Sequence, residues 1–122
     1  MGVYADALKV IKERGWTQGN YIGLHGGPVC IVGAIAIAKG VSPEELTETC
    51  YGDAPGDEVW GRTEEEQRCL IACARDLILG DKIELEGVHQ LYNWNIVDVN
   101  DSPSTTQENI ESILVLAEER CG

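Results

Sequence analysis

The sequence predicts a mainly α fold, a single compact domain of about five helices with at most a minor β-hairpin. Three observations carry that prediction. Helix-start signatures recur at Ser42-Pro43-Glu44-Glu45, at Thr63-Glu64-Glu65-Glu66, and at Thr105 with Glu108. Apolar residues beside them recur with the helical period of 3.6. The chain is 122 residues long and 43% hydrophobic, enough for one core and too short for two, so residues 1–122 read as one domain.

The elements follow in order. Residues 3 to 14 place Val3, Ala7, Val10 and Ile11 on one face, and Gly15 stands where a left-handed C-terminal cap belongs. Residues 16 to 28 are aromatic and glycine-rich with no helical period. They read as a structured loop or a short hairpin turning at Gly26-Gly27. Residues 29 to 38 are apolar on every side, too short for a membrane span and therefore fully buried. Their β-branched content suits a strand, but Pro28 at the entry, the alanines and Gly40 favour a helix.

Ser42 caps the next helix, Pro43 takes its first position and Glu45 completes the box; this helix reaches about Cys50. Residues 51 to 62 hold three glycines and a proline and read as an exposed linker. Thr63 and Glu66 open a helix whose stripe is Cys69, Leu70, Cys73, Ala74, Leu77 and Ile78, ending at Gly80. Residues 83 to 95 fit either strand or helix. Thr105 and Glu108 open the final helix, with Ile110, Ile113, Leu114, Ala117 and Cys121 on one stripe.

Charge and composition exclude several classes. Lys plus Arg is 9 against 21 Asp plus Glu, a formal charge of −12. The few bases are scattered, which argues against a nucleic-acid partner. No run of about eighteen apolar residues exists for a membrane span, and no basic-then-apolar leader opens the chain. A cytoplasmic protein is expected, in a host cytoplasm if the chain is phage-encoded.

The five cysteines are an odd number and imply no complete disulfide framework; each lies in or beside an apolar run as a small hydrophobe. Cys69 and Cys73 share a helix face, and with Cys50 and His89 they could form a zinc site. The close CxxC pair is missing, so core packing is the stronger reading and no metal or cofactor is expected.

Arg14-Gly15-Trp16-Thr17-Gln18-Gly19, then Gly27-Pro28-Val29-Cys30-Ile31-Val32-Gly33-Ala34, resembles the opening of a small uncharacterised domain common in actinobacteria and their phages. Asn100-Asp101-Ser102-Pro103, Thr105 and the final helix are similar to that family's ending. The family pattern has a tryptophan directly before Asn-Asp, where this chain has Val99, with Trp94 five residues earlier. The resemblance implies a shared fold and an actinobacterial or phage origin, with no catalytic roles.

Chemistry has three places to reside. Cys30, just inside a helix start, could be a thiolate nucleophile with His89 or His25 as base and Asn100 or Asp101 orienting it. A cysteine within such an apolar run is more often inert. Trp16, Tyr21 and Trp94 could wall a small-ligand pocket. Asp98, Asn100 and Ser102 alternate like calcium ligands, but Pro103 and Asn109 stand where glycine and glutamate are needed, so Asn100 and Asp101 are read as bonding neighbouring amides.

The charge distribution is the strongest clue. Residues 44 to 66 hold nine acids and one base, Arg62, which is eight of the twelve net negative charges. Glu44, Glu45, Asp57, Glu58, Glu64 and Glu65, with Trp60 as anchor and Tyr51 nearby, would steer and dock a basic protein surface. Acids at helix starts also complement the helix dipole and maintain solubility. The expectation is a small non-enzymatic binding protein, with a Cys30-dependent hydrolase or transferase as the alternative. For a phage-encoded protein, modulation of a host factor is the natural role.

Overall fold

The computed structural model describes residues 2–23, 27–51, 57–80, 82–83 and 94–122, with the Asp57 side chain left aside. These residues form a mainly α domain of seven helices, with no sheet among them. His25, Gly26 and His89 lie outside the described residues, as does most of the ambiguous stretch from 83 to 95.

Helix α1 (Val3–Arg14) buries Tyr4, Ala7 and Ile11. It stops at Gly15, whose φ of 89° and ψ of 174° are open to glycine but are not the left-handed helical cap expected there, and whose amide closes the helix on Ile11 O at 2.8 Å. Helix α2 (Ile31–Ala38) is the centre of the core, with Ile31 through Ala36 all buried. It begins later than the apolar run does. Val29 pairs instead with Trp16 and Ile22 as isolated bridges, and Cys30 caps the helix, its Sγ accepting from Gly33 N at 3.4 Å. The backbone of residues 15–23 and 28–30 therefore finds partners across the loop before the helix can claim them.

Helix α3 (Pro43–Tyr51) starts as its capping signal predicts, with Ser42 Oγ accepting from Glu45 N at 3.1 Å. The expected exposed linker over 51–62 is corrected in part, because Asp57–Arg62 is helix α4, with Val59 2% exposed in the core. Burial of that one valine overrides the local glycines. Thr63 occupies the N-cap position of helix α5 (Glu64–Leu79), but its side chain makes no capping hydrogen bond. It is fully buried between α4 and α5, donating its hydroxyl to Val59 O at 2.9 Å and accepting from Gln67 Nε2 at 2.8 Å.

Helix α6 (Ile96–Asp101) was not foreseen. Asn95 and Asp98 form a reciprocal capping box for it, and Ile96, Val99 and Asn100 are buried. The cap of helix α7 (Gln107–Cys121) is shifted by one residue: Thr106 and Asn109 form the box, while Thr105 Oγ1 bonds inward to Val99 O at 2.6 Å. The predicted stripe of α7 is buried at Ile110, Ile113, Leu114 and Ala117. Cys121 leaves that stripe and bonds Cys69 in a disulfide, so two of the expected free thiols are one cross-link between α5 and α7. That bond also removes Cys69 from any zinc set with Cys73.

Helix α1 packs on α2 and α7, α5 on α7, α6 and α4, and α2 on α6. The starts of α2 and the end of α6 thus meet beneath the 16–23 loop. No described helix is long and apolar enough to cross a membrane.

Candidate functional site

Asn100 organises the region where these elements meet. It is fully buried, and its Oδ1 accepts from Trp16 Nε1 at 2.7 Å and from Ile31 N at 3.0 Å. Its Nδ2 donates to Thr17 O at 3.2 Å and to Asp101 Oδ1 at 2.9 Å. All of its side-chain capacity that matters for shape is spent here. The Ile31 amide is an orphan donor of the first turn of α2, so Asn100 satisfies that helix from another element. The expectation that Asn100 bonds neighbouring amides is corrected: apart from Asp101, its partners lie 69 to 84 residues away.

The 16–23 loop is pinned against this hub. Gln18 Nε2 donates to the carbonyls of Asn100 and Ser102 at 3.0 and 2.8 Å, and Gly19 N donates to Asp101 Oδ1 at 2.9 Å. Cys30 N donates to Tyr21 O at 3.1 Å. A Cβ on Gly33 would sit 2.0 Å from that same carbonyl oxygen, so the loop crosses α2 at a point only glycine permits. Tyr51 fastens the other side, donating to Ile22 O at 3.1 Å and accepting from Asn20 Nδ2 at 3.3 Å.

Between this pinned loop and the acidic segment lies a cleft of about 300 Å³. Gly19, Asn20, Tyr21 and Asp101 form one side, Thr49, Cys50 and Trp60 the other, with Cys30 and Val97 completing the lining. Trp60 remains 37% exposed at the cleft. Asp101 uses Oδ1 to hold the loop, and Oδ2 makes no hydrogen bond among the described residues.

The expected aromatic pocket is corrected by this arrangement. Tyr21 lines the cleft, Trp94 lines a separate shallow depression with Asp98 and Pro103, and Trp16 lines neither because its indole is bonded to Asn100. The alternative thiolate site centres on Cys30, while its two candidate bases, His25 and His89, lie outside the described residues. Burial pushes the Cys30 thiol up to about 12, and Asn100 is committed to structure, leaving nothing on it to orient a histidine.

The acids of the predicted docking segment divide into two groups. Glu44, Glu45, Glu58, Glu64 and Glu65 are all exposed, as expected. Three acids are however neutralised locally: Glu66 by Lys39 at 2.8 Å, Glu64 by Arg68 at 2.7 Å and Glu45 by Arg62 at 3.5 Å. Glu44, Glu48, Glu58 and Glu65 have no ion pair among the described residues, so they supply the outward field. Asp101, Thr49 and Asn20 were missed as cleft residues. No spacing rule links positions so far apart, and only tertiary packing assembles them.

A family model described as a family of unknown function (DUF6197) matches residues 2–120. No curated protein and no solved structure matches the chain.

Proposed function

We propose that this chain, which belongs to the DUF6197 family of unknown function, is a binding protein that docks a basic segment of another protein. The cleft beside Trp60 receives one lysine or arginine side chain of that segment. The observation carrying this reading is the convergence of the half-exposed Trp60 indole and the Asp101 carboxylate on one cleft, within a chain of net charge −12. An aromatic face attracts a cation and packs against its aliphatic stem, and a carboxylate takes the charged head. The outward acids Glu44, Glu48, Glu58 and Glu65 steer the approach without themselves forming the grip.

Short lysine- and arginine-rich peptides, titrated against acidic and neutral peptides of equal length, test this. The basic peptides are expected to change tryptophan fluorescence and to bind more weakly as salt rises. Trp60→Ala should abolish the fluorescence change, and Asp101→Asn should weaken binding about tenfold, equivalent to ~1.4 kcal/mol. Equal binding of all three peptides, or undiminished binding by both variants, overturns the reading.

A second reading uses the same cleft for a small cationic molecule, favoured by a volume at the lower end for ligand sites, about 300 Å³. Free arginine or a quaternary amine that matches the peptide's affinity would select it.

A further inference from the structure

Three sulfurs converge where α5 meets the end of α7. Cys69 and Cys121 are joined as a disulfide across 52 residues. Cys73, one helical turn beyond Cys69, is buried and retains its thiol, with its Sγ 3.9 Å from Cys69 Sγ. Arg120, immediately before Cys121, brings its guanidinium to the Cys73 sulfur and to the Asp76 carboxylate. Burial raises the Cys73 thiol above its usual range, and Arg120 acts in the opposite direction by stabilising the thiolate.

We propose that these residues form a thiol–disulfide exchange site, in which Cys73 displaces Cys121 from Cys69 and delivers Cys121 as a free surface thiol. Cys73 loses its proton to water, and the thiolate attacks Cys69 Sγ. The new Cys69–Cys73 bond forms as the Cys69–Cys121 bond breaks, and the displaced electron pair leaves on Cys121, which takes up a proton. One disulfide and one thiol are present before and after, so no oxidant or reductant is consumed.

The sulfurs are already in contact, but the product needs backbone movement. Positions four apart on a helix have Cβ atoms about 5–6 Å apart, beyond the roughly 3.5–4.5 Å a disulfide spans. The new bond therefore forms as the α5 turn between Cys69 and Cys73 opens. Cys121 is exposed, so its thiol reaches solvent once released, whereas Cys73 is buried. The exchange also removes the covalent link between the last turn of α7 and α5, leaving the Arg120–Asp76 ion pair to hold them. Glu118 on that turn accepts from Gly2 N and Ala5 N at 2.8 and 3.3 Å, so the start of α1 is held by the same turn.

The test is maleimide labelling of the native, unreduced protein, followed by peptide mapping without reduction. Wild type is expected to accumulate label on Cys121 in step with a Cys69–Cys73 disulfide. Cys73→Ala should keep the original bridge and leave Cys121 unlabelled, and Arg120→Gln should slow labelling about fivefold by withdrawing the cation from the attacking sulfur. Absence of Cys121 label in wild type, over a time that fully labels the urea-unfolded protein's free thiols, overturns the proposal. So does label on Cys73 with the bridge intact, or equal Cys121 labelling in Cys73→Ala. An Arg120→Gln rate equal to wild type overturns the role given to the guanidinium. The wild-type map decides the matter even for a Cys73 variant that fails to fold.

Discussion

The Asn100 carboxamide accepts the Trp16 indole hydrogen at 2.7 Å, joining two segments 84 residues apart in a bond that also orders the start of α2. Asn100→Ala would strand the Ile31 amide and the Trp16 indole as unsatisfied donors. It is expected to lower stability by about 2 to 4 kcal/mol in urea unfolding. A loss under about half a kcal/mol would mean that water replaces the carboxamide without difficulty.

Gly33 is expected to tolerate no side chain. Its Cβ would fall 2.0 Å from Tyr21 O, a backbone atom already engaged by Cys30 N. Gly33→Ala should cost roughly 1 to 3 kcal/mol despite the better helix propensity of alanine. A stabilised variant would show that the loop does not rest on α2 as described.

Cys30 and Tyr4 set the alkaline limit. Burial raises the first from 9.0 to about 12 and, as the largest cause, the second from 10.0 to about 12. Both protons are held more tightly in the folded chain, so the stability they contribute is complete below about pH 9 and is lost as pH rises toward 12. Urea midpoints should fall between about pH 9 and 10.5, and the slope should be shallower in Cys30→Ala and Tyr4→Phe. Native Cys30 should also alkylate far more slowly than the unfolded thiol at neutral pH. Rapid native alkylation would restore a nucleophile to the cleft.

Ile113 and Leu114 are both fully buried in α7. Replacement of either by alanine should cost about 2 to 5 kcal/mol, measured as a shift in urea midpoint with unchanged slope. Half a kcal/mol or less at both positions would contradict the packing of α7 on α1 and α5.

Removing outward charge should separate association from folding. Changing Glu44, Glu48, Glu58 and Glu65 to glutamine should alter stability by no more than about 1 kcal/mol, because these ions are exposed and have no ion pair among the described residues. The same variant should bind basic peptides with a lower on-rate and a flatter salt dependence, while Trp60→Ala should mainly raise the off-rate. Unchanged association kinetics in the charge variant would reduce these acids to a solubilising surface.

Local signals in the chain were sufficient for α1, α3 and α7. A helix-ending glycine at 15, a serine cap before Pro43 and a continuous apolar stripe from Ile110 to Ala117 act within one or two turns, so their physics is contained in short windows. The exposed acids and Trp60 were legible for the same reason, since charge stays in water wherever the chain goes. What failed were the features decided by burial between packed helices, some with near partners and some with remote ones. Val59 made a helix of an apparent linker by entering the core, and Thr63 and Thr105 turned from capping to bonding inward once α4 and α6 lay beside them. Neither the Asn100 hub, the cleft between Trp60 and Asp101, nor the Cys69–Cys121 cross-link can be read from spacing. Each joins residues 41 to 84 positions apart, and such contacts are chosen by the packing of whole helices rather than by local propensity.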